Sequence, residues 1–319
     1  MATSDIREAA NEGLTADRIA SLLSARLFIQ PQLTGGRLYF LSNLSGRLSL
    51  YAMDADGSVP EPLLPPELAL PNPELVDGHS FHVLPVLDRI VVMMDRDGDE
   101  LYEPFLIPIE GGFPEPVAET FKGYRSHLFE LDPDAAIAYF ASESREESMI
   151  YGFRCDLGTG EVDTLGRSMY GAFPVAWSPD HSRVILCDQY LLGDTVLYEL
   201  DSTGNRTILH GTPLEDREDG RDYPRSGIRW SRFTASGNGL LLVTTLFDDS
   251  GAPGYLDLTE RKEIEPVALE GAVHRGVGEL ERLQHLEGDR YAVIFNANRG
   301  KIHNPNLIYP GQVVSLPPG

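Results

Sequence analysis

The sequence predicts an all-β protein, a β-propeller of four-stranded blades, on three observations. Short apolar runs rich in Val, Ile, Tyr and Phe follow one another along the chain. Each run is bounded by Gly, Asp, Asn or Pro, the residues of strand ends and tight turns. The arrangement recurs six times at a spacing of about 50 residues, the signature of a repeat architecture in which no single unit can bury its own faces.

The elements follow in order. Ile19, Leu22, Leu23 and Leu27 recur at three- and four-residue steps. With Thr15 as N-cap and Asp17 in the first turn, they predict an amphipathic helix over Ala16–Ala25 within an N-terminal helical segment, 1–26. Thereafter the expected period is two. Second runs of successive units read Arg37 to Leu41, Arg89 to Met93, Ala136 to Phe140, Arg183 to Leu186, Leu240 to Thr244 and Tyr291 to Phe295. Third runs read Leu48 to Met53, Tyr102 to Ile109, Met149 to Cys155, Thr195 to Leu200, Gly254 to Leu258 and Gln312 to Leu316. Five of the six closing turns carry Gly, among them Asp54 to Gly57 and Asp201 to Gly204, as antiparallel hairpins prefer. Fourth runs are expected at Pro62 to Leu64, Pro116 to Ala118, Val162 to Leu165, Arg206 to Leu209 and Pro266 to Leu269. Four strands per unit predict a propeller domain over 27–319 with six or seven blades, leaving no room for a second sizeable domain. A β-sandwich would not require such regular repetition.

Composition excludes several classes. With 42% hydrophobic and 24% charged residues, disorder, collagen and a coiled coil are ruled out. The net charge of −23 opposes a phosphate backbone and offers an anionic membrane nothing basic, so neither nucleic acid nor membrane is an expected partner. Cys155 and Cys187 are too few for a disulfide framework or a four-cysteine zinc site, and read as buried free thiols. The N-terminus has no apolar signal region and no stretch approaches 18 apolar residues, which predicts a cytoplasmic protein.

Specific residues then suggest a family. Trp177-Ser178-Pro179-Asp180 ahead of Arg183 to Leu186, and Tyr39 to Gly46 ahead of Leu50 to Gly57, resemble the blade repeat of TolB-type propellers. The same repeat builds the N-terminal propeller of the prolyl oligopeptidase family of serine peptidases, acylaminoacyl peptidases included. Leu14 to Ala20 leading to Gln30-Pro31-Gln32-Leu33, and the hairpin Asp95 to Tyr102, resemble the peptidases more than TolB. In that family catalysis belongs to a C-terminal α/β-hydrolase domain whose Ser lies on a Gly-x-Ser-x-Gly elbow. No such elbow occurs here; the nearest segment, Thr234 to Gly239, lacks the first Gly. The last unit stops at Pro317-Pro318-Gly319, after its third run. Either the N-terminal segment supplies the missing strand or a hydrolase domain lies beyond this chain, and the second is the expectation. The resemblance then implies a non-catalytic propeller that gates short peptides to a hydrolase domain of the same polypeptide. The alternatives are a stand-alone TolB-like scaffold that binds another protein, and a propeller enzyme such as a metal-dependent lactonase, which no residue spacing supports.

No catalytic, cofactor or metal residue is assigned, because each candidate has a simpler reading. Asp95, Asp97, Asp99 and Glu100 alternate as calcium ligands would, but the sixth position is Glu100 where an EF-hand needs Gly, and the twelfth is Leu106 where it needs Glu. His79 and His82 are three apart in an expected strand and so point to opposite faces. His127, His181, His210, His274, His285 and His303 are scattered singly, with no nucleophile to pair with. The run Glu215 to Asp222, continued by Tyr223-Pro224-Arg225, reads as a solvated loop, or as one that contacts a second domain or guards the channel. Arg125, Arg229 and Arg282 fall near the starts of first runs, where they would line the propeller channel and meet a peptide carboxylate.

Overall fold

A computed structural model describes residues 26–267, apart from 74–77, 97, 192, 224–225 and 261–262, together with 280, 284–286 and 290–292. The helix expected over Ala16–Ala25 and the run Gln312 to Leu316 lie outside these residues. Among the described residues no helix is long and apolar enough to cross a membrane.

The fold is a β-propeller, with five four-stranded antiparallel sheets, each meandering in sequence order. The first joins β1 (Phe28–Thr34), β2 (Arg37–Ser42), β3 (Ser49–Asp54) and β4 (Glu61–Pro62). The second joins β5 (Phe81–Leu84), β6 (Arg89–Met94), β7 (Glu103–Pro108) and β8 (Glu115–Pro116). The third joins β9 (Tyr124–Asp132), β10 (Ile137–Ser144), β11 (Ile150–Asp156) and β12 (Val162–Ser168). The fourth joins β13 (Phe173–Trp177), β14 (Val184–Leu191), β15 (Asp194–Leu200) and β16 (Arg206–His210). The fifth joins β17 (Ile228–Phe233), β18 (Gly239–Thr244), β19 (Ala252–Asp257) and β20 (Glu265–Pro266). In the sixth repeat β21 (Gln284–Leu286) pairs with β22 (Arg290–Ala292). The chain divides into two compact units: Met1–His127 with Asp132–Ile137 and Leu157–Gly160, and the remainder.

The second strand is the most deeply buried in the second, third and fifth sheets and shares that burial with the third strand in the first and fourth, and this explains its sequence. β18, Gly-Leu-Leu-Leu-Val-Thr, is buried at every position, and β6 at all but its first. A strand covered on both faces reads as a continuous apolar run, not as an alternating one. In the first unit Leu41, Leu50, Ile90, Val92 and Ile107 form one core; in the second Ile185, Leu197, Leu240, Leu242 and Leu256 form another. Close packing dictates one glycine directly: a Cβ on Gly111, whose φ is +91°, would sit 2.8 Å from the carbonyl oxygen of Leu63.

The outer strands carry edge protection of two kinds. β4, β8 and β20 are each a Glu-Pro dipeptide; the next N–H still donates to the third strand (Leu63 to Leu50 O, Val117 to Pro104 O, Val267 to Pro253 O), so each proline stands where its missing N–H would face away from the sheet and offers a further strand no donor. β12 and β16 are longer and lack proline, and each carries a bulge, at Leu165 and Leu209, which are skipped in the pairing. Arg37 on β2 pairs with Glu61 on β4, and Arg89 on β6 with Glu115 on β8, so one ion pair recurs at the same place in two successive repeats. Turns are fastened by aspartates: Asp201 Oδ1 accepts from the N–H groups of Thr203 and Asn205, both at 2.9 Å. The Thr203 hydroxyl, which donates to the same oxygen at 2.7 Å, together with these backbone bonds holds the Asp201 carboxyl below its ordinary range.

Candidate functional site

The residues singled out in the first unit mostly satisfy themselves. Asp99 Oδ1 accepts from the N–H of Arg96 at 3.2 Å and of Leu101 at 3.0 Å, Asp95 Oδ2 accepts from the N–H of Glu100 at 3.3 Å, and Arg96 pairs with Glu103. The acidic hairpin thus spends carboxylate lone pairs on its own backbone; Asp97 lies outside the described residues. No three His, Cys, Asp or Glu come together as a metal site among the described residues.

The two histidines depart from expectation. His79 and His82 are not on opposite faces of one strand, because β5 begins only at Phe81, and their rings meet edge to face at 6.0 Å. The contact is one of ring edge on ring face, and the pair belongs to no cluster of three His, Cys, Asp or Glu among the described residues. Burial pushes the pKa of His82 down, and its Nδ1 is enclosed without a hydrogen-bond partner among the described residues.

Arg125, at the start of β9, lies over the ring of Tyr102 at 5.3 Å, and Tyr102 meets His127 edge to face. The buried Nε of Arg125 likewise has no partner among the described residues. Arg229 is exposed on β17, and Arg282 lies outside the described residues.

In the second unit His181 belongs to an aromatic stack. Its Nδ1 lies 2.7 Å from the hydroxyl of Tyr139, and its ring is 6.2 Å from that of Trp177 at 7°. His274 and His303 fall outside the described residues, and His285 enters only as part of the β21 backbone.

His210 does find a serine, which sequence spacing did not reveal: its Nε2 is 2.8 Å from Ser226 Oγ. The pair is not placed for nucleophilic chemistry. Ser226 is buried, its carbonyl accepts from Thr195 Oγ1 at 2.5 Å, and burial lowers the His210 pKa. It closes the two ends of the loop that joins β16 to β17. Ser236, in the segment nearest to an elbow, sits in a turn where its Oγ lies 3.2 Å from Thr234 Oγ1.

The cysteines are buried, and burial with neighbouring carboxylates pushes both thiols up to about 12. Native protein at pH 8 is therefore expected to resist iodoacetamide, and both thiols to react after addition of denaturant. Mass spectrometry of the alkylated chain measures this directly.

The best-built feature is the loop 211–223: its carboxylates are exposed as expected of a solvated run, but Arg217 is not. Arg217 reaches back to the β14–β15 hairpin, where Nη1 and Nη2 donate to Asp194 Oδ2 and Oδ1, both at 2.8 Å; its Nε donates to Thr212 O at 2.9 Å. The guanidinium lies between the rings of Tyr190, at 5.0 Å, and Tyr223, at 5.5 Å. The hydroxyl of Tyr190 accepts from Leu214 N–H, and that of Tyr223 from Glu218 N–H. The bidentate bond to Asp194 raises the Arg217 pKa further.

Beneath this layer Arg206 stacks on Tyr198 at 3.5 Å and pairs with the buried Asp188, whose Oδ1 accepts from Ala172 N–H at 2.8 Å. The topology explains the convergence: in a four-stranded meander the hairpin between the middle strands shares one end of the sheet with the chain's entry and exit.

Arg217→Ala is expected to free the loop. Removing a bidentate, ring-stacked pair that is only partly exposed costs about 2 kcal/mol. Trypsin cleavage after Arg221 in native protein should then rise more than tenfold, since each 1.4 kcal/mol of opening free energy is a factor of ten. Arg217→Lys should recover only part of the protection, because an ammonium cannot reproduce the planar fork.

The chain matches no protein-family model, and no curated protein matches it. Solved structures do. The prolyl endopeptidases of an inter-domain dynamics study align with 83% of this chain and 39% of theirs, at 11% identity and a TM-score of 0.56. A puromycin hydrolase aligns over 77% of this chain and 40% of its own, at 14% identity and a TM-score of 0.51. An oligogalacturonate lyase in complex with manganese aligns over 80% of this chain and 66% of its own, at 14% identity and a TM-score of 0.54. The chain thus spans about two fifths of the length of the two hydrolytic enzymes. At these identities the likeness is one of fold, and the fold is a β-propeller of the kind found in prolyl endopeptidases.

Proposed function

We propose that this chain is the propeller part of a cytoplasmic serine peptidase of the prolyl oligopeptidase kind, limiting access of peptides to a hydrolase site carried outside these 319 residues. The observation that carries this reading is the pattern of coverage: four fifths of this chain matches two fifths of a prolyl endopeptidase. The absence of a Gly-x-Ser-x-Gly elbow from the sequence agrees with a non-catalytic role. The physical function is exclusion: a rigid scaffold over a hydrolytic site admits short or unfolded peptides and keeps folded proteins from the nucleophile.

The test begins with the reading frame beyond the codon for Gly319. The expected result is an open frame of about 250 codons with a Gly-x-Ser-x-Gly elbow followed by Asp and then His. The full-length product should cleave a short peptide and leave the same sequence uncut inside a folded host protein. A stop codon directly after Gly319 overturns the proposal and leaves a self-contained propeller whose role is protein interaction.

A further inference from the structure

We propose that Met169, Tyr170, Leu191 and Leu214, at one end of the fourth sheet, form a docking surface for a cationic segment of another polypeptide, one that presents an apolar side chain flanked by Lys or Arg. Met169 is 61% exposed, Tyr170 40%, Leu191 63% and Leu214 39%. They come from three separate stretches of chain, the entry to β13, the β14–β15 hairpin and the loop after β16, which share one end of the sheet and are joined there by contacts of Tyr190 and Gln189. The Tyr170 ring packs on Tyr190 at 4.7 Å, Gln189 N–H donates to Tyr170 O at 2.7 Å, Leu214 N–H donates to Tyr190 Oη at 3.3 Å, and Leu191 follows Tyr190 in the chain. Large apolar side chains scattered singly over a surface need no explanation, whereas several gathered on one rigid support mark an interaction surface.

The support is rigid because Arg217 fixes the loop to the hairpin through Asp194, Tyr190 and Tyr223. A surface ordered before binding loses little conformational freedom on association. Tyr and Met are side chains that adapt to an apolar partner while tolerating water in its absence.

Charge selects the occupant. Glu215, Asp216, Glu218, Asp219 and Asp222 are all exposed on the loop, while Arg217 is paired with Asp194 and Arg221 with Glu218 at 3.7 Å. A second copy of the chain would bring this acidic rim against its own image in a protein of net charge −23. A cationic segment meets complementary potential, which orients it and speeds its arrival, and its apolar residue fills the patch.

The test is fluorescence anisotropy with three labelled hexapeptides: Lys-Arg-Leu-Phe-Lys-Arg, Lys-Arg-Gly-Ser-Lys-Arg and Glu-Glu-Leu-Phe-Glu-Glu. The first should bind and the other two bind far more weakly, with affinity falling as salt rises. The double variant Met169→Ser, Leu191→Ser should weaken the first about tenfold, as loss of central apolar contacts does. Val59→Ser, which removes a side chain 82% exposed on another loop, should change nothing. All these positions are exposed, and an unchanged thermal midpoint confirms the fold.

Equal binding of both cationic peptides, indifferent to the double variant, overturns the proposal in favour of plain charge attraction. No binding at all also overturns it, including the case where another part of the same polypeptide covers the patch. A concentration-dependent dimer abolished by Leu191→Ser overturns it in favour of a second copy. The inference does not rest on the peptidase reading, which the frame beyond Gly319 decides separately.

Discussion

Asp188→Ala is expected to destabilise the protein by about 3 kcal/mol, because the carboxylate serves two groups that have no substitute acceptor. Its Oδ1 accepts from the N–H of Ala172, a buried residue held at φ 54°, and its Oδ2 pairs with Arg206. Truncation orphans the buried N–H and leaves Arg206 stacked on Tyr198 without a counter-ion. Asp188→Asn separates the two effects: it keeps an oxygen for Ala172 and loses only the charge. Arg206 is about one third exposed, so water screens that loss, and the expected cost is about 1 kcal/mol. Urea unfolding of the three proteins measures the difference. Equal losses in both variants would show that charge, not the backbone acceptor, is the larger contribution.

Gly152→Ala is expected to cost as much, about 3 kcal/mol, for a reason that has nothing to do with backbone freedom. Gly152 on β11 does not adopt the left-handed region; a Cβ there would lie 2.5 Å from the carbonyl oxygen of Ala172 and 3.6 Å from Leu186 Cδ2. Its cross-strand partner on β12 is Gly166, whose Cβ would lie 3.3 Å from Leu186 Cδ1. The two glycines leave the space that Leu186, on β14, fills. Backbone cannot yield at Ala172, whereas the end of a leucine can, so Gly166→Ala should cost only about 1 kcal/mol. Thermal melts of the two variants, compared with each other, test whether it is the third sheet's closeness to the fourth that requires these glycines.

Much of the fold was legible in the sequence. The second runs began within a residue of the observed second strands because burial of those residues writes a continuous apolar run into the chain, but β10 and β14 continue to Ser144 and Leu191, four and five residues past the expected ends. The first five third runs agreed to within one or two residues, and the sixth lies outside the described residues. The fourth strands were the least legible: β4, β8 and β20 proved to be Glu-Pro pairs lying slightly before the expected positions. An outermost strand on the solvent side needs no apolar pattern, so what marks it is a residue that denies a further strand its donor.

The candidate surface was largely hidden. Glu215 to Asp222 reads as charge alone, and nothing in the local sequence tells Arg217, which clamps, from Arg221, which lies on the surface. Tyr170, Tyr190, Tyr198 and Tyr223 lie on separate strands and loops, and only their density around one hairpin offered a signal. His79 and His82 were misplaced because strand alternation was extended two residues beyond the start of β5. His210 and Ser226 meet across a 16-residue gap that no periodicity spans.

The sequence by itself determined the class of fold, the four-strand repeat, the turn chemistry and the strongly acidic character, since each depends on neighbours within a few residues or on composition. The tertiary structure alone decided which charges are spent internally, which glycines are spacers, and which exposed apolar side chains share one surface. Those outcomes depend on strand register and bulges, which bring together residues tens of positions apart and shift facing by a single residue.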